Sequence, residues 1–262
     1  MATLTTFYRY FAGEGSKPRP GFYSKQLALE SFCQALSECY FDVMPVFLID
    51  GDAPQKARRT MAANGHVAEI DGGSVRRSYR TMLEMAVQFT AGDGMVWFAE
   101  DDYFYRGDSL TALMDGVRQV NKDSYLSLYS PQDIAGLPEW RVWPPARSTT
   151  ASFGAHATTL REDLWLLRQA PFTGGAWDDT MFCLLAHRWP YSRSQGATMA
   201  RSARGLARLA VTAQLLAEAK VRGPARRLFA SNPVLAWHME EAPDNPMPSW
   251  LDREMKRQAM PW

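Results

Sequence analysis

Met-Val-Trp-Phe-Ala-Glu-Asp-Asp-Tyr-Phe-Tyr, from Met95 to Tyr105, constrains this chain more than any other stretch. Five apolar residues run straight into three consecutive acids, Glu100, Asp101 and Asp102. A short apolar run bounded by Gly94 and a polar break predicts a strand buried on both faces, central in a parallel or mixed sheet. Three adjacent carboxylates repel one another and gain nothing from burial, so folding alone gives little reason for them. In open α/β sheets ligands bind at the carboxyl ends of the strands. A carboxylate cluster in that place suits a hard divalent cation and, through it, a phosphate. The alternative is a solvated acidic turn capping the next helix.

The rest of the first half alternates strand and helix. Thr3 to Phe11 is rich in β-formers. The loop from Ala12 to Phe22 carries Lys17 and Arg19 but matches neither GxGxxG nor GxxxxGK[ST]. Ser24 is a candidate N-cap for a helix with Leu29, Phe32, Cys33 and Leu36 on one face. Val43 to Ile49 predicts a second buried strand ending in Asp50-Gly51-Asp52, where an acid can meet a ribose or a base edge, or simply make a turn. Val67 to Ile70 is a short strand. Ser74 then opens a helix with Tyr79, Met82, Leu83 and Ala86 on its apolar face. Arg76, Arg77 and Arg80 crowd the positive end of that helix, which hints at an anion or marks a solvated face. A further amphipathic helix carries Leu110, Leu113, Met114 and Val117, and Tyr125 to Tyr129 is the next strand. This order predicts an open α/β domain with a mainly parallel sheet.

The second half is less regular. Pro131 to Pro145 forms a loop with Trp140 and Trp143. Ala151 to His156 predicts a strand and Thr158 to Gln169 a turn and helix. Gly174-Gly175-Ala176-Trp177-Asp178-Asp179 then leads into a helix through Cys183 and Leu185. Acids at a helix start suit the dipole, yet they also hold a carboxylate rigidly at a cleft, as a general base requires.

Composition matters in two places. Of the 262 residues 46% are apolar and 22% charged, an ordinary globular balance with no disordered signature. The net charge of +1 hides an asymmetry: Arg188 to Arg227 holds nine basic residues and one acid, Glu218, a net of +8 against −7 for the remainder. A helix is expected over Ala200 to Lys220, with Leu206, Leu209, Ala210 and Ala213 on its apolar face and Arg201, Arg204 and Arg208 opposite. So acid-poor a stretch suits a polyanion: a diphosphate, a nucleic-acid backbone or an acidic membrane. No run approaches the ~18 apolar residues of a membrane span, and no helix stands out as an amphipath for a membrane surface. No signal peptide is visible, and Cys33, Cys39 and Cys183 lack metal spacing, so reduced thiols in a cytoplasmic protein are expected. His238 stands alone before the acids of the tail.

In order, Asp50-Gly51-Asp52, Glu100-Asp101-Asp102, Gly174 to Asp179 and the late His238 resemble the glycosyltransferases of the GT-A fold, over roughly residues 3 to 240. The resemblance implies an open mixed, mainly parallel sheet flanked by helices, with a helical C-terminal extension. It divides the chain into a nucleotide-sugar-binding core, 1–190, and a basic helical segment with tail, 191–262, completing the site within one compact unit. It implies a hexosyltransferase-type enzyme with a UDP-sugar donor and Mn²⁺ or Mg²⁺. By its pattern Asp102, Glu100 and His238 would ligate the metal. Asp50, Asp52, Glu100 and Asp101, with Arg76 and Arg77 nearby, would hold the donor. Asp179, with Asp178 beside it, would supply the base of an inverting reaction. Two departures stand out: the metal motif begins with Glu rather than Asp, and Asp178-Asp179 replaces the commoner Glu-Asp. The expected acceptor is a hydroxylated base in DNA, held by the Arg188–Arg227 segment. A glycan or lipid carrier is the alternative acceptor, and a sugar-nucleotide pyrophosphorylase or a non-catalytic nucleic-acid binder the alternative function.

Overall fold

The computed structural model describes residues 3–13, 17–129, 142–147, 150–173, 177–241, 245 and 247–258. The chain opens with β1 (Leu4–Phe11), α1 (Lys25–Ser37), β2 (Val43–Asp50), α2 (Gln55–Asn64), β3 (His66–Ile70), α3 (Val75–Phe89) and β4 (Met95–Glu100). β5 (Tyr103–Tyr105), α4 (Ser109–Val117), β6 (Tyr125–Ser127), β7 (Pro145–Ala146), β8 (Gly154–His156), α5 (Ala157–Leu167) and α6 (Trp177–Leu185) follow. The last elements are α7 (Arg193–Met199), α8 (Ala203–Arg222), β9 (Leu228–Ala230), β10 (Ala236–His238) and α9 (Leu251–Gln258).

The main sheet runs β3-β2-β1-β4-β8-β6-β9-β7. β3, β2, β1 and β4 are mutually parallel, and β8 is antiparallel to both β4 and β6. This open, mixed sheet flanked by helices is the α/β architecture that the order of motifs implied. Segment 191–262 does more than append helices: β9 enters the sheet beside β6, and β10 pairs with β5 in a second, two-stranded sheet.

β4 is buried on both faces, as its unbroken apolar run predicted. Met95, Trp97 and Ala99 join one core with Tyr8, Leu29, Phe32, Phe47, Met61 and Leu113. Val96 and Phe98, alternating to the other side, pack with Phe7, Leu48, Tyr79, Met82, Leu160 and Phe182. Each such side chain contributes about 1.5–3 kcal/mol of burial, so Trp97→Ala, with its cavity, costs about 3–5 kcal/mol. A third cluster of Ala28, Phe104, Trp237, Met239, Trp250 and Leu251 fastens the C-terminal tail to α1 and β5. The caps at Ser24 and Ser74 form as expected, their side chains accepting from Leu27 N and Arg77 N. All three cysteines are free, with Cys33 and Cys183 buried.

The basic segment departs from its sequence pattern. Ser202 caps a new helix by accepting from Gly205 N at 3.0 Å, so α7 and α8 are separate. Gly205 is required at that elbow, because a Cβ there would lie 1.9 Å from Met199 O. α8 is also rotated relative to the expected face. Gly205, Thr212, Leu215 and Ala219 are buried, whereas Leu206, Ala210 and Ala213 face solvent and Arg208 is half-buried. Close packing at Gly205 turns a seam of Gly205, Thr212, Leu215 and Ala219 inward in place of the expected stripe.

Candidate active site

At the carboxyl ends of β1 and β4 the three acids diverge, each toward its own base. Glu100, half-buried, pairs with buried Arg9, one strand away in register. Asp101 turns under β1, where Phe11 N donates to Oδ2 at 3.0 Å and Lys25 Nζ lies at 3.0 Å. Lys25 stands in the first turn of α1, against the helix dipole. It offsets that by also donating to the carbonyls of Phe11 and Gly13. Asp102 Oδ2 accepts from Arg19 Nη2 at 2.8 Å and lies 3.0 Å from His238 Nε2. His238 is placed by the β10–β5 pairing opposite Tyr103, on whose ring it stacks at 4.8 Å. Its Nδ1 is 3.1 Å from Glu240 Oε2, which also holds Lys17 Nζ at 2.6 Å.

The fields in this cluster are strong. Burial raises the Glu100 carboxyl above its ordinary range, although Arg9 opposes it. Burial likewise raises Asp101 against the pull of Lys25. At Asp102 burial is outweighed by His238 and Arg19, and the carboxyl is held well below the usual range. Asp102 is therefore the firmest anion of the three.

A cleft of about 340 Å³ opens over these groups. Arg9, Lys17, Arg19 and Lys25 line it against Glu100, Asp101, Asp102 and Asp178, four basic side chains facing four acids. Its hydrogen bonding is incomplete among the described residues: Arg9 Nε and Nη1, Arg19 Nε and Asp102 Oδ1 are buried without a partner. Orphaned donors call for an anion and the orphaned carboxylate oxygen for a cation or a donor.

Among the described residues no three His, Cys, Asp or Glu side chains converge as a metal site. Asp102 and His238 nonetheless offer two ligands 3.0 Å apart, with a free carboxylate oxygen beside them. Mg²⁺-type ions are commonly held by one or two carboxylates, with substrate phosphates and water completing the shell. The residues present fit such an ion through Asp102 and His238, while Glu100 is engaged by Arg9.

The remaining candidates are placed as follows. Asp178 lines the cleft, where burial raises its carboxyl. Asp179, beside it in the first turn of α6, is directed along the helix toward Cys183 Sγ at 4.0 Å. Gly174, Gly175 and Ala176 lie outside the described residues, as do Trp140 and most of the Pro131–Pro145 loop. Asp50 is buried and holds the β3–α3 loop, accepting from Gly72 N at 3.1 Å and Gly73 N at 3.2 Å. Gly73 adopts φ +61°, a conformation that favours glycine. Asp52, Arg76 and Arg77 are exposed, the two arginines following Val75, which lines the cleft.

Sequence reasoning missed Arg9, Lys25, Thr150 and Glu240, and gave Lys17 and Arg19 no role. Arg9 did carry a signal: a lone charge in a β-rich strand has to find a buried partner. The loop of Lys17 and Arg19 matches no phosphate fingerprint; what it brings to the cleft is side-chain cations.

Neither a protein-family model nor a curated protein matches this sequence. Several solved structures do. The glycosyltransferase GlyE of Streptococcus pneumoniae aligns over 98% of this chain and 60% of its own, at 12% identity and TM-score 0.47. Glucosyl-3-phosphoglycerate synthase of Mycobacterium tuberculosis, in complex with Mn²⁺, UDP and phosphoglyceric acid, aligns over 60% of this chain and 56% of its own, at 11% identity and TM-score 0.39. A 4-diphosphocytidyl-2C-methyl-D-erythritol synthase aligns over 77% of this chain and 97% of its own, at 10% identity and TM-score 0.42. The aligned region thus spans little more than half of the glycosyltransferase chains.

Proposed function

We propose that this protein is a glycosyltransferase using a nucleotide-sugar donor and a divalent metal, with the diphosphate seated over Arg9, Arg19 and Asp102. One observation carries the reading: a buried ion cluster left with unmatched donors and an unmatched carboxylate oxygen on the wall of one cleft. The charge balance supports it. A cleft whose four basic side chains face four acids takes up a diphosphate diester and a divalent cation together with no change in net charge, whereas either alone leaves charge uncompensated in a poorly solvated place.

Asp102 and His238 would hold Mn²⁺ or Mg²⁺, which when bound supplies Lewis-acid stabilisation of the leaving diphosphate. Arg9 and Arg19 donate to the same developing charge. Tyr103, stacked on His238 and hydrogen-bonded to Thr150, fixes the plane of the imidazole. Asp178, inside the cleft and raised by burial, is the base that takes the acceptor hydroxyl's proton. Its neighbour Asp179 lies instead against Cys183 along the helix. A carboxylate base of this kind fits inversion at the anomeric carbon, so a product of retained configuration would contradict it.

The finer reading of the donor is a UDP-sugar. For the acceptor, a hydroxylated base in DNA rested on the +8 segment. Its exposed Arg193, Arg201 and Arg204 support that reading, but Arg226 is buried on Asp163 and Glu162, and Arg222 pairs with Glu218. The reading is tested by incubating the protein with a panel of nucleotide sugars and Mn²⁺ and measuring nucleoside diphosphate release. Release that is lost with chelator and with Asp102→Asn is expected. No release from any donor would overturn it.

A further inference from the structure

α8 leaves an alanine-rich face with three larger apolar side chains in water. Leu206 is 52% exposed, Val211 43% and Val221 87%. Ala203, Ala207, Ala210, Ala213 and Ala217 fill the same outward face and are all exposed. From Ala203 to Val221 this face runs roughly 27 Å, with Gln214 its one polar residue near the centre. Alanine suits any exposed helix, but valine lowers helix propensity, and apolar side chains gathered on one solvent face gain nothing from water.

The rims of this face are basic. Arg204 borders one side and Lys220 the other, with Arg201 just ahead of the helix, all exposed. Glu218, the one acid of the helix, is taken up by Arg222 at 2.5 Å. Among the described residues no helix is long and apolar enough to cross a membrane. A helix with an apolar outer face and basic rims is instead suited to lying in the plane of a lipid headgroup layer.

We infer that α8 is a docking surface for an anionic lipid bilayer, its apolar face entering the headgroup region and its basic rims on lipid phosphates. Charge complementarity selects this occupant. A second copy would bring the same arginines and lysines against their like in either orientation, with no free acid on α8 to relieve them. This inference is independent of the glycosyltransferase reading.

The test is co-sedimentation of the full chain with phosphatidylglycerol–phosphatidylcholine vesicles and with pure phosphatidylcholine vesicles. Binding to the anionic vesicles, weakened by salt and absent from the neutral ones, is expected. Leu206→Gln with Val221→Gln should weaken that binding about tenfold or more, and Arg201→Gln with Arg204→Gln about fivefold per residue. All four side chains are exposed, so far-UV circular dichroism and the melting midpoint should match the parent. No binding to anionic vesicles overturns the inference. So does binding that survives the Leu206/Val221 change, or a concentration-dependent dimer in sedimentation velocity that the same change dissolves. Duplex DNA that displaces the protein from vesicles and still binds the Leu206/Val221 variant would assign the basic rim to nucleic acid and overturn it as well.

Discussion

Two buried ion clusters can be set side by side in this molecule. In one, Arg226 Nε and Nη2 clasp Asp163 at 2.8 and 3.1 Å, Nη2 also meets Glu162 at 2.6 Å, and Tyr125 Oη donates to Asp163 at 2.9 Å. None of these side chains has a buried atom without a partner. In the other, Arg9, Arg19 and the three acids also pair, yet four buried polar atoms on Arg9, Arg19 and Asp102 stay unmatched among the described residues. The first joins α5 to the segment before β9 and is complete. The second lines a cleft and is left incomplete by the described residues. Burial and charge are common to both, and the two differ in hydrogen-bond satisfaction among the described residues.

The sharpest way to break this contrast is at the cleft. Asp178→Asn should lower transfer by about 10²–10⁴ with donor binding retained, while Asp179→Asn stays near the parent. The reverse result, in steady-state assays with saturating donor, would move the base to Asp179. Asp102→Asn should lower metal-dependent donor turnover by roughly a hundredfold. It should also abolish the rise in melting midpoint that Mn²⁺ and nucleoside diphosphate together produce.

The complete cluster should respond in stability alone. Arg226→Met leaves two acids without their cation and should cost about 3–5 kcal/mol in urea unfolding. Donor affinity per folded molecule should not change. Adding Asp163→Leu should recover much of that loss, because a matched apolar replacement removes both buried charges. A loss of donor affinity in Arg226→Met would show that the two clusters are not separate.

A smaller effect lies in pH. Burial raises the Asp178 carboxyl, and a base works only when deprotonated, so transfer should fall as pH drops through that raised value. The acid limb should therefore begin above the ordinary aspartate range, and a limb at or below it would count against Asp178. The least effect concerns thiols. Burial pushes Cys33 up to about 12, so iodoacetamide should modify half-exposed Cys39 first. Arg226→Met should hasten labelling of Cys183 and leave Cys33 protected, since Arg226 N bonds to Leu185 O in the same helix as Cys183.

Much of the scaffold could be read from local pattern. β1, β2, β3, β4, α1, α3 and α4 follow from apolar periodicity and serine caps, because neighbouring residues decide burial and capping. α2, β5, β9, β10 and α9 carry short or mixed patterns, and they form because distant chain covers them. The rotation of α8 is instructive. Its apolar stripe predicted the inward face, but contact with Met199 at Gly205 and with the α6 side of the core favoured a narrower seam.

At the candidate site, the sequence located the acids and could not assign their partners. Glu100-Asp101-Asp102 stood out because adjacent carboxylates after a buried strand need a reason. That Arg9 would answer Glu100, Lys25 Asp101, and Arg19 with His238 Asp102 depends on separations of 91, 76, 83 and 136 residues. No local rule spans such distances. What the chain alone determined was where charge and apolar surface had to lie along it. What the tertiary structure decided was which charges cancel and which stay unmatched, since Coulomb and hydrogen-bond partners are set by proximity in space.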